Sequence, residues 1–435
     1  MKRWVAAAGV SAAALMSSTA WGQSLEDALS AAYNSNPTIA AERARQRATK
    51  EQTPQAIASA LPQITGSASY QKTDGTTTLD NRFFDPTTPG TRQIETKLDT
   101  TSYQVSGEQP IFTGFRNFNA IRAARARVKA GAAELALVEQ DVLTRAASAY
   151  FDVVRDMEVA SANANNVEVL IRQKREADLR FEVGEVTRTD VAQAEARLAQ
   201  SRANLTTAQA RLAVSRASFV EIIGASPASL EDDPVLPAVP ASLEQSLSIS
   251  REGAPSIVRA RMAERAQKRN VQVAKGQFSP TVSLTASYQF ADEPSISAIE
   301  DEQFAYGVRG SVPIFLGGLN ISRVREAKAL HDQSRRQVEE AERRADAAVT
   351  GAWEQLAAAR ANIQSATSQV EASELALNGV RREAQLGVRT TLDVLDAEQE
   401  FLNAKVSRAN AERDARLATF QLLAAMGALG PDVDG

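Results

Sequence analysis

The chain has 435 residues, enough for about two or three domains if it were soluble. Its 49 Lys and Arg nearly balance 53 Asp and Glu, for a net charge of −4, and the evenness of that balance speaks against a nucleic-acid partner. With no cysteine and one histidine, His331, it has no disulfides, thiolate metal sites or cysteine nucleophiles.

Residues 1–22 read as a secretory signal peptide. Lys2 and Arg3 precede an apolar stretch from Trp4 to Met16, and Ala20-Trp21-Gly22 places small residues at the cleavage spacing, with Gln23 as the new start. The stretch is too short and too alanine-rich for a transmembrane anchor. No cysteine follows the cut, so a lipoprotein route is closed.

A first repeat is expected over 23–224. It begins with a helix over 24–59, followed by strands near 61–74 and 98–112. From Ile64 to Gln71 the residues alternate, with Ile64, Ala68 and Tyr70 on the apolar side. A long helix follows over 115–182, a span without proline. Its seam runs through Ile121, Ala124, Val128, Gly131, Leu135, Val138 and Val142, the alternating three-and-four spacing of a coiled coil. A tight turn at Gly184 leads to a helix over 188–223.

Residues 225–240 form a Pro-rich linker. A second repeat, 241–427, restates the order: helix 241–277, strands near 280–291 and 303–315, long helix 318–385, a turn at Gly387, helix 391–426, then a tail over 428–435. Pro37 recurs as Pro255, Pro62 as Pro280, Tyr70 as Tyr288, Tyr103 as Tyr306, Asp190 as Asp393 and Gly224 as Gly427. The spacing shortens after the first strand loop, so the loop near 75–97 is the longer of the two. Thr281, Ser283, Thr285, Ser287 and Gln289 alternate with Val282, Leu284, Ala286, Tyr288 and Phe290, which predicts a strand with one wet and one apolar face. About ten residues with terminal aromatics suits an outer-membrane barrel strand, although one such strand alone also suits a soluble sandwich.

Helix lengths fix the architecture. The long helix over 115–182 spans ~100 Å, and its neighbours over 24–59 and 188–223 span ~54 Å each. Two short helices laid end to end therefore match one long one. Four strands cannot close a membrane barrel, whose smallest examples have about eight, and open edges are not tolerated in lipid. The chain is expected to oligomerise, a dimer giving eight strands and a trimer twelve. The strand arithmetic does not choose between them.

The pattern resembles the TolC-type outer-membrane efflux family. The resemblance rests on Pro313-Ile314-Phe315-Leu316-Gly317-Gly318-Leu319-Asn320 at a strand-to-helix junction and on Gly387-Val388-Arg389-Thr390-Thr391-Leu392-Asp393-Val394-Leu395-Asp396-Ala397. The latter is echoed by Val183-Gly184-Glu185-Val186-Thr187-Arg188-Thr189-Asp190-Val191. The resemblance implies a mainly α fold with a small antiparallel β part: a coiled-coil helical barrel topped by a β-barrel that closes only as a homotrimer in outer-membrane lipid. It further implies an exit duct for tripartite efflux or type I secretion, docked on a periplasmic adaptor (membrane fusion protein) and an inner-membrane pump of the ABC or RND type. No cofactor, metal or catalytic residue is implied.

Thr187 with Asp190, and Thr390 with Asp393, have the Thr-x-x-Asp spacing of a capping box, so helix capping is one of two readings of both aspartates. Asp396, one turn further, shares a helix face with Asp393 and has no capping duty. By resemblance, Asp393 and Asp396 form the periplasmic entrance constriction, where stacked carboxylate rings favour cations; a solvated acidic patch at a helix start is the alternative. The resemblance also assigns a closed-state latch to Asp190, Thr189 and Arg389, with the family's tyrosine replaced by Ala384. It assigns adaptor docking to the turns at Gly184 and Gly387, which as helix C-caps also need a left-handed backbone. His331 is expected on a charged helix surface. A coiled-coil adhesin with a small barrel anchor is a competing reading, but it predicts strands at one end of the chain only.

Overall fold

The computed structural model describes residues 24–430, apart from 81, 83–86, 88, 228 and 296. The expected signal peptide and residues 431–435 of the tail lie outside the described residues. The elements run α1 (Leu25–Ser35), α2 (Pro37–Lys50), α3 (Gln52–Ala58), β1 (Gln63–Asp80), β2 (Thr91–Phe112), α4 (Arg116–Glu182) and α5 (Arg188–Ile223). They continue α6 (Leu243–Gly253), α7 (Pro255–Lys275), β3 (Thr281–Ser295), β4 (Ala298–Ser311), α8 (Leu319–Gln385) and α9 (Thr391–Met426). The helix–strand–strand–long helix–helix order thus occurs twice, and α4 and α8 are each 67 residues long.

The helices expected over 24–59 and 241–277 are not continuous. The first is divided at Asn36 and Glu51, the second at Ala254, with a 3-10 turn over Gly276–Phe278. Proline explains the matching breaks. The residue before a proline is pushed out of the α region, and proline itself suits the first position of a helix. Asn36 (ψ 125°) is extended, Ala254 (ψ 126°) likewise lies outside the α region, and Pro37 and Pro255 open the helices that follow. Asn36 stabilises its break. Its Oδ1 accepts from the Thr38 amide at 2.9 Å, and its Nδ2 donates to the Ile222 carbonyl at 2.8 Å.

The chain divides into two compact units, each drawing on both repeats. One comprises Ala41–Leu137 and Gly253–Ala345 and contains the sheet. Its four strands are antiparallel in the order β1-β2-β3-β4. At 18, 22, 15 and 14 residues they exceed the ~9–11 needed to cross a bilayer. β1 and β2 run on into the region expected as loop, with Thr76, Thr77 and Thr78 paired to Glu95, Ile94 and Gln93. Threonine is a β-former, so a polar run can continue the ladder without an apolar face. β4 stops at Ser311 instead of near 315, because Pro313 has no N–H to donate.

Through the middle of the sheet, register gathers the large apolar side chains on one face. Leu284 faces Val308, Ala286 faces Tyr306, Tyr288 faces Phe304, and Tyr103 faces Phe290. This face has no protein cover: Ile64 is 75% exposed and Tyr306 80%. The opposite face is hydroxyl-rich. Thr65 Oγ1 meets Ser106 Oγ at 2.8 Å, and Ser69 Oγ meets Ser102 Oγ at 2.7 Å. In the same unit His331 departs from its expected surface role. Its Nε2 lies 2.6 Å from Glu264 Oε1, with side chains only 22% and 21% exposed.

The other unit runs up to Ala40, over Val138–Glu252 and from Asp346 onward. Its core gathers α1, the middle of α4, the ends of α5 and α9 and part of α8 around Tyr150, Phe151, Phe219 and Phe420. Tyr150 meets Phe151 edge-on at 5.6 Å and Phe219 at 6.4 Å, and Phe151 meets Phe420 at 6.0 Å. Alanines fill the gaps between these rings and let the helices approach closely, among them Ala28, Ala146, Ala147 and Ala418. The linker is strapped to this core. Tyr150 Oη accepts from the Glu231 amide at 2.9 Å and donates to its carbonyl at 3.1 Å, while Arg416 donates to the Asp232 carbonyl at 2.7 Å. Burial pushes the Tyr150 phenol up to about 12.

Candidate functional site: the paired helical turns

Within this second unit, α4 turns into α5 and α8 into α9. Both turns are built alike. Gly184 (φ 80°) and Gly387 (φ 77°) are left-handed, a conformation that costs other residues ~1–2 kcal/mol. The amides one residue further on close each helix. Glu185 N donates to the Arg180 carbonyl at 2.9 Å, and Val388 N to the Glu383 carbonyl at 3.0 Å. Open space surrounds both glycines, and Val183, Leu386 and Val388 stand exposed beside them.

The next helices open with full capping boxes. Asp190 N donates to Thr187 Oγ1 at 3.3 Å, and Thr187 N returns a bond to Asp190 Oδ2 at 2.8 Å. Asp393 N donates to Thr390 Oγ1 at 3.2 Å, with the return bond to Asp393 Oδ2 at 2.9 Å. Bonds from the Thr187 backbone and hydroxyl hold the Asp190 carboxyl below its usual range. Those from Thr390 do the same for Asp393, with a smaller contribution from Arg389. Asp190 and Asp393 therefore cap the starts of α5 and α9 as well as carry charge.

The remaining predicted residues are placed as follows. Arg389 Nε donates to Glu383 Oε2 at 2.9 Å across its own turn, so within one chain it does not meet Asp190. Thr189 is exposed in the first turn of α5. Asp396 is exposed one turn beyond Asp393, and Arg197 Nη2 of α5 reaches its Oδ1 at 2.5 Å. Ala384 lines a cleft of about 380 Å³ with Arg172, Arg180, Arg381 and Val394, where a larger side chain would fill space. A small core of Leu170, Ala177, Ala194, Leu198 and Leu395 fixes α4, α5 and α9 beneath the turns. Arg381 donates to the buried Glu398 of α9 and ties the second hairpin together.

Sequence reasoning missed Arg197 and Glu398. Neither pairing has a local spacing signal; Arg197 and Asp396 lie in different repeats. Among the described residues no three or more His, Cys, Asp or Glu are grouped to hold a metal ion, and no helix is long and apolar enough to cross a membrane.

Comparison with known proteins decides the family. The outer membrane efflux protein family matches residues 28–225 and 247–428. This chain belongs to that family. It is 33% identical over 430 residues to outer membrane efflux protein BepC of Brucella suis, covering 97% of this chain and 91% of BepC. It is 24% identical to outer membrane protein TolC of Vibrio cholerae, covering 95% of this chain and 93% of that one. The crystal structure of outer membrane protein VceC from Vibrio cholerae has the same fold, with a TM-score of 0.77, 22% identity, and 93% and 96% of the two chains covered. The efflux protein is thus an exit duct of the outer membrane that extends into the periplasm and performs no covalent chemistry.

Proposed function

We propose that three copies of this efflux protein assemble into one channel-tunnel. Its periplasmic mouth is the ring of helical turns, opened when a periplasmic adaptor and an inner-membrane pump dock there. One observation carries the reading: a four-stranded sheet with unpaired edges at β1 and β4 and a bare apolar face. In lipid an unpaired strand edge costs several kcal/mol per unsatisfied group, so β4 of one copy must find β1 of the next until the sheet closes. Three copies give twelve strands, within the known range for closed barrels.

At the mouth, Asp393 and Asp396 form two stacked acidic rings that narrow the passage and favour cations. Asp190, Thr189 and Arg389 latch the closed state between neighbouring hairpins, Arg389 exchanging Glu383 for a partner on the next hairpin. The exposed turns at Gly184 and Gly387, with no side chain to obstruct approach, receive the adaptor. The pump supplies the energy and selects the cargo; an ABC or an RND pump fits the duct equally.

The test is planar-bilayer conductance of the purified mature oligomer beside an Asp393→Ala, Asp396→Ala double mutant. Small cation-selective currents that lose selectivity in the mutant support the entrance. Cation-selective currents unchanged by the mutations keep the duct and refute the acidic entrance. Absence of current from an assembled oligomer refutes the channel.

A further inference from the structure

We infer that Arg197 is a specificity-determining residue of the duct: it neutralises Asp396, so that the charge of the entrance is set mainly by Asp393. The inference rests on the acidic-entrance reading of the turns and refines it.

The two acids of the entrance face different surroundings. The Asp393 carboxylate is held at the start of α9 by the Thr390 amide and hydroxyl, at 2.9 and 2.8 Å, and Arg389, its nearest base, already bonds Glu383 at 2.9 Å. Hydrogen bonds from neutral groups leave the net charge of Asp393 in place and lower its affinity for a proton. Asp396 instead meets a guanidinium at 2.5 Å. An ion passing Asp396 sees a dipole where it would otherwise see a charge, and the field of a dipole falls off faster with distance. The small core at Ala194, Leu198 and Leu395 holds the two helices so that the pair forms. Arg197 is one residue from Leu198, and Asp396 one residue from Leu395, so the ion pair sits at the edge of that core.

The pairing also joins the two repeats. Arg197 is on the helix that opens after the first turn and Asp396 on the one after the second. The duplicated halves are not interchangeable here: Glu400 takes the place matching Arg197 in the second repeat, and Gln193 the place matching Asp396 in the first. A charge pair that exists once per chain gives each subunit one neutralised acid and one bare acid.

The test measures reversal potentials in a salt gradient for the assembled mature protein and three variants. Arg197→Gln unmasks the Asp396 carboxylates and raises the cation-to-anion permeability ratio several-fold. Asp396→Asn leaves Arg197 unpaired and lowers the ratio. The double variant, neutral at both places, returns to the wild-type ratio, a rescue that a merely structural role of Arg197 would not produce. Assembly of each variant is checked by its oligomer mass in detergent. A change in Asp396→Asn with none in Arg197→Gln overturns the pair but leaves the entrance. No change in Arg197→Gln, Asp396→Asn or Asp393→Asn overturns the acidic entrance itself, and the pair with it.

Discussion

Replacing Tyr150 by phenylalanine removes one oxygen atom from the centre of the larger core. Tyr150 is 0% exposed, and its ring contacts with Phe151 and Phe219 survive the change. What goes is a pair of hydrogen bonds to the backbone of Glu231, at 2.9 and 3.1 Å. Each such bond contributes a net ~1 kcal/mol, so the ceiling is ~2 kcal/mol. Glu231 lies on the exposed side of the linker, where water can take over part of the bonding. The expected loss is therefore ~1–2 kcal/mol. Two assays read it: urea unfolding of the mature protein in detergent, and amide exchange of residues 229–233, which should accelerate before the core does. Wild type carries a further signature. The buried phenol binds its proton more tightly in the folded chain, so its contribution is complete below about pH 10 and is lost as pH rises toward about 12. The phenylalanine variant lacks that alkaline decline. A stability change below about 0.5 kcal/mol together with unaltered exchange at 229–233 would refute the view that Tyr150 straps the linker.

Gly184→Val and Gly387→Val should each cost ~1–2 kcal/mol through backbone strain alone, since the space around both positions is open. Both should also weaken capture of a purified adaptor hairpin, and retained capture would separate the turns from docking. Asp190 and Asp393 support their helices as carboxylates. Their contribution is complete above the ordinary carboxylate pKa of about 4 and falls away as pH drops through their lowered values. Amides in the first turns of α5 and α9 should therefore exchange faster in acid once exchange chemistry is corrected for, and Asp190→Asn and Asp393→Asn should flatten that dependence.

Periodicity made the sheet legible. Perfect alternation from Thr281 to Phe290 assigns each side chain to a face before any pairing is known, and the register agrees, with Tyr288 facing Phe304. The turns were legible because a left-handed glycine, a threonine cap and an aspartate three residues later recur in both halves. The interruptions at Asn36 and Ala254 were written in Pro37 and Pro255, but a proline at the first position of a helix is also compatible with a continuous run of helix-forming residues on either side. The outer ends of β1 and β2 were obscured because strands beyond lipid need no apolar face. Arg197 with Asp396, and His331 with Glu264, were beyond reach for another reason. Each pairing depends on how helices far apart in the chain lie side by side, and surface charges occur at too many positions for spacing to choose among them.

The hydroxyl-bearing face of the sheet has a bearing on traffic through the proposed barrel, which it would line if the bare apolar face meets lipid. A serine or threonine hydroxyl both donates and accepts, and Thr65, Ser69, Ser102 and Ser106 satisfy one another across the strands. A solute sliding along such a wall exchanges one hydrogen bond for an equivalent one at each step. Charge enters the same face at Glu108, opposite Gln63, and at Arg309, opposite Ser283. Between those charges, a lining of this kind behaves as a lubricated sleeve for whatever moves along it.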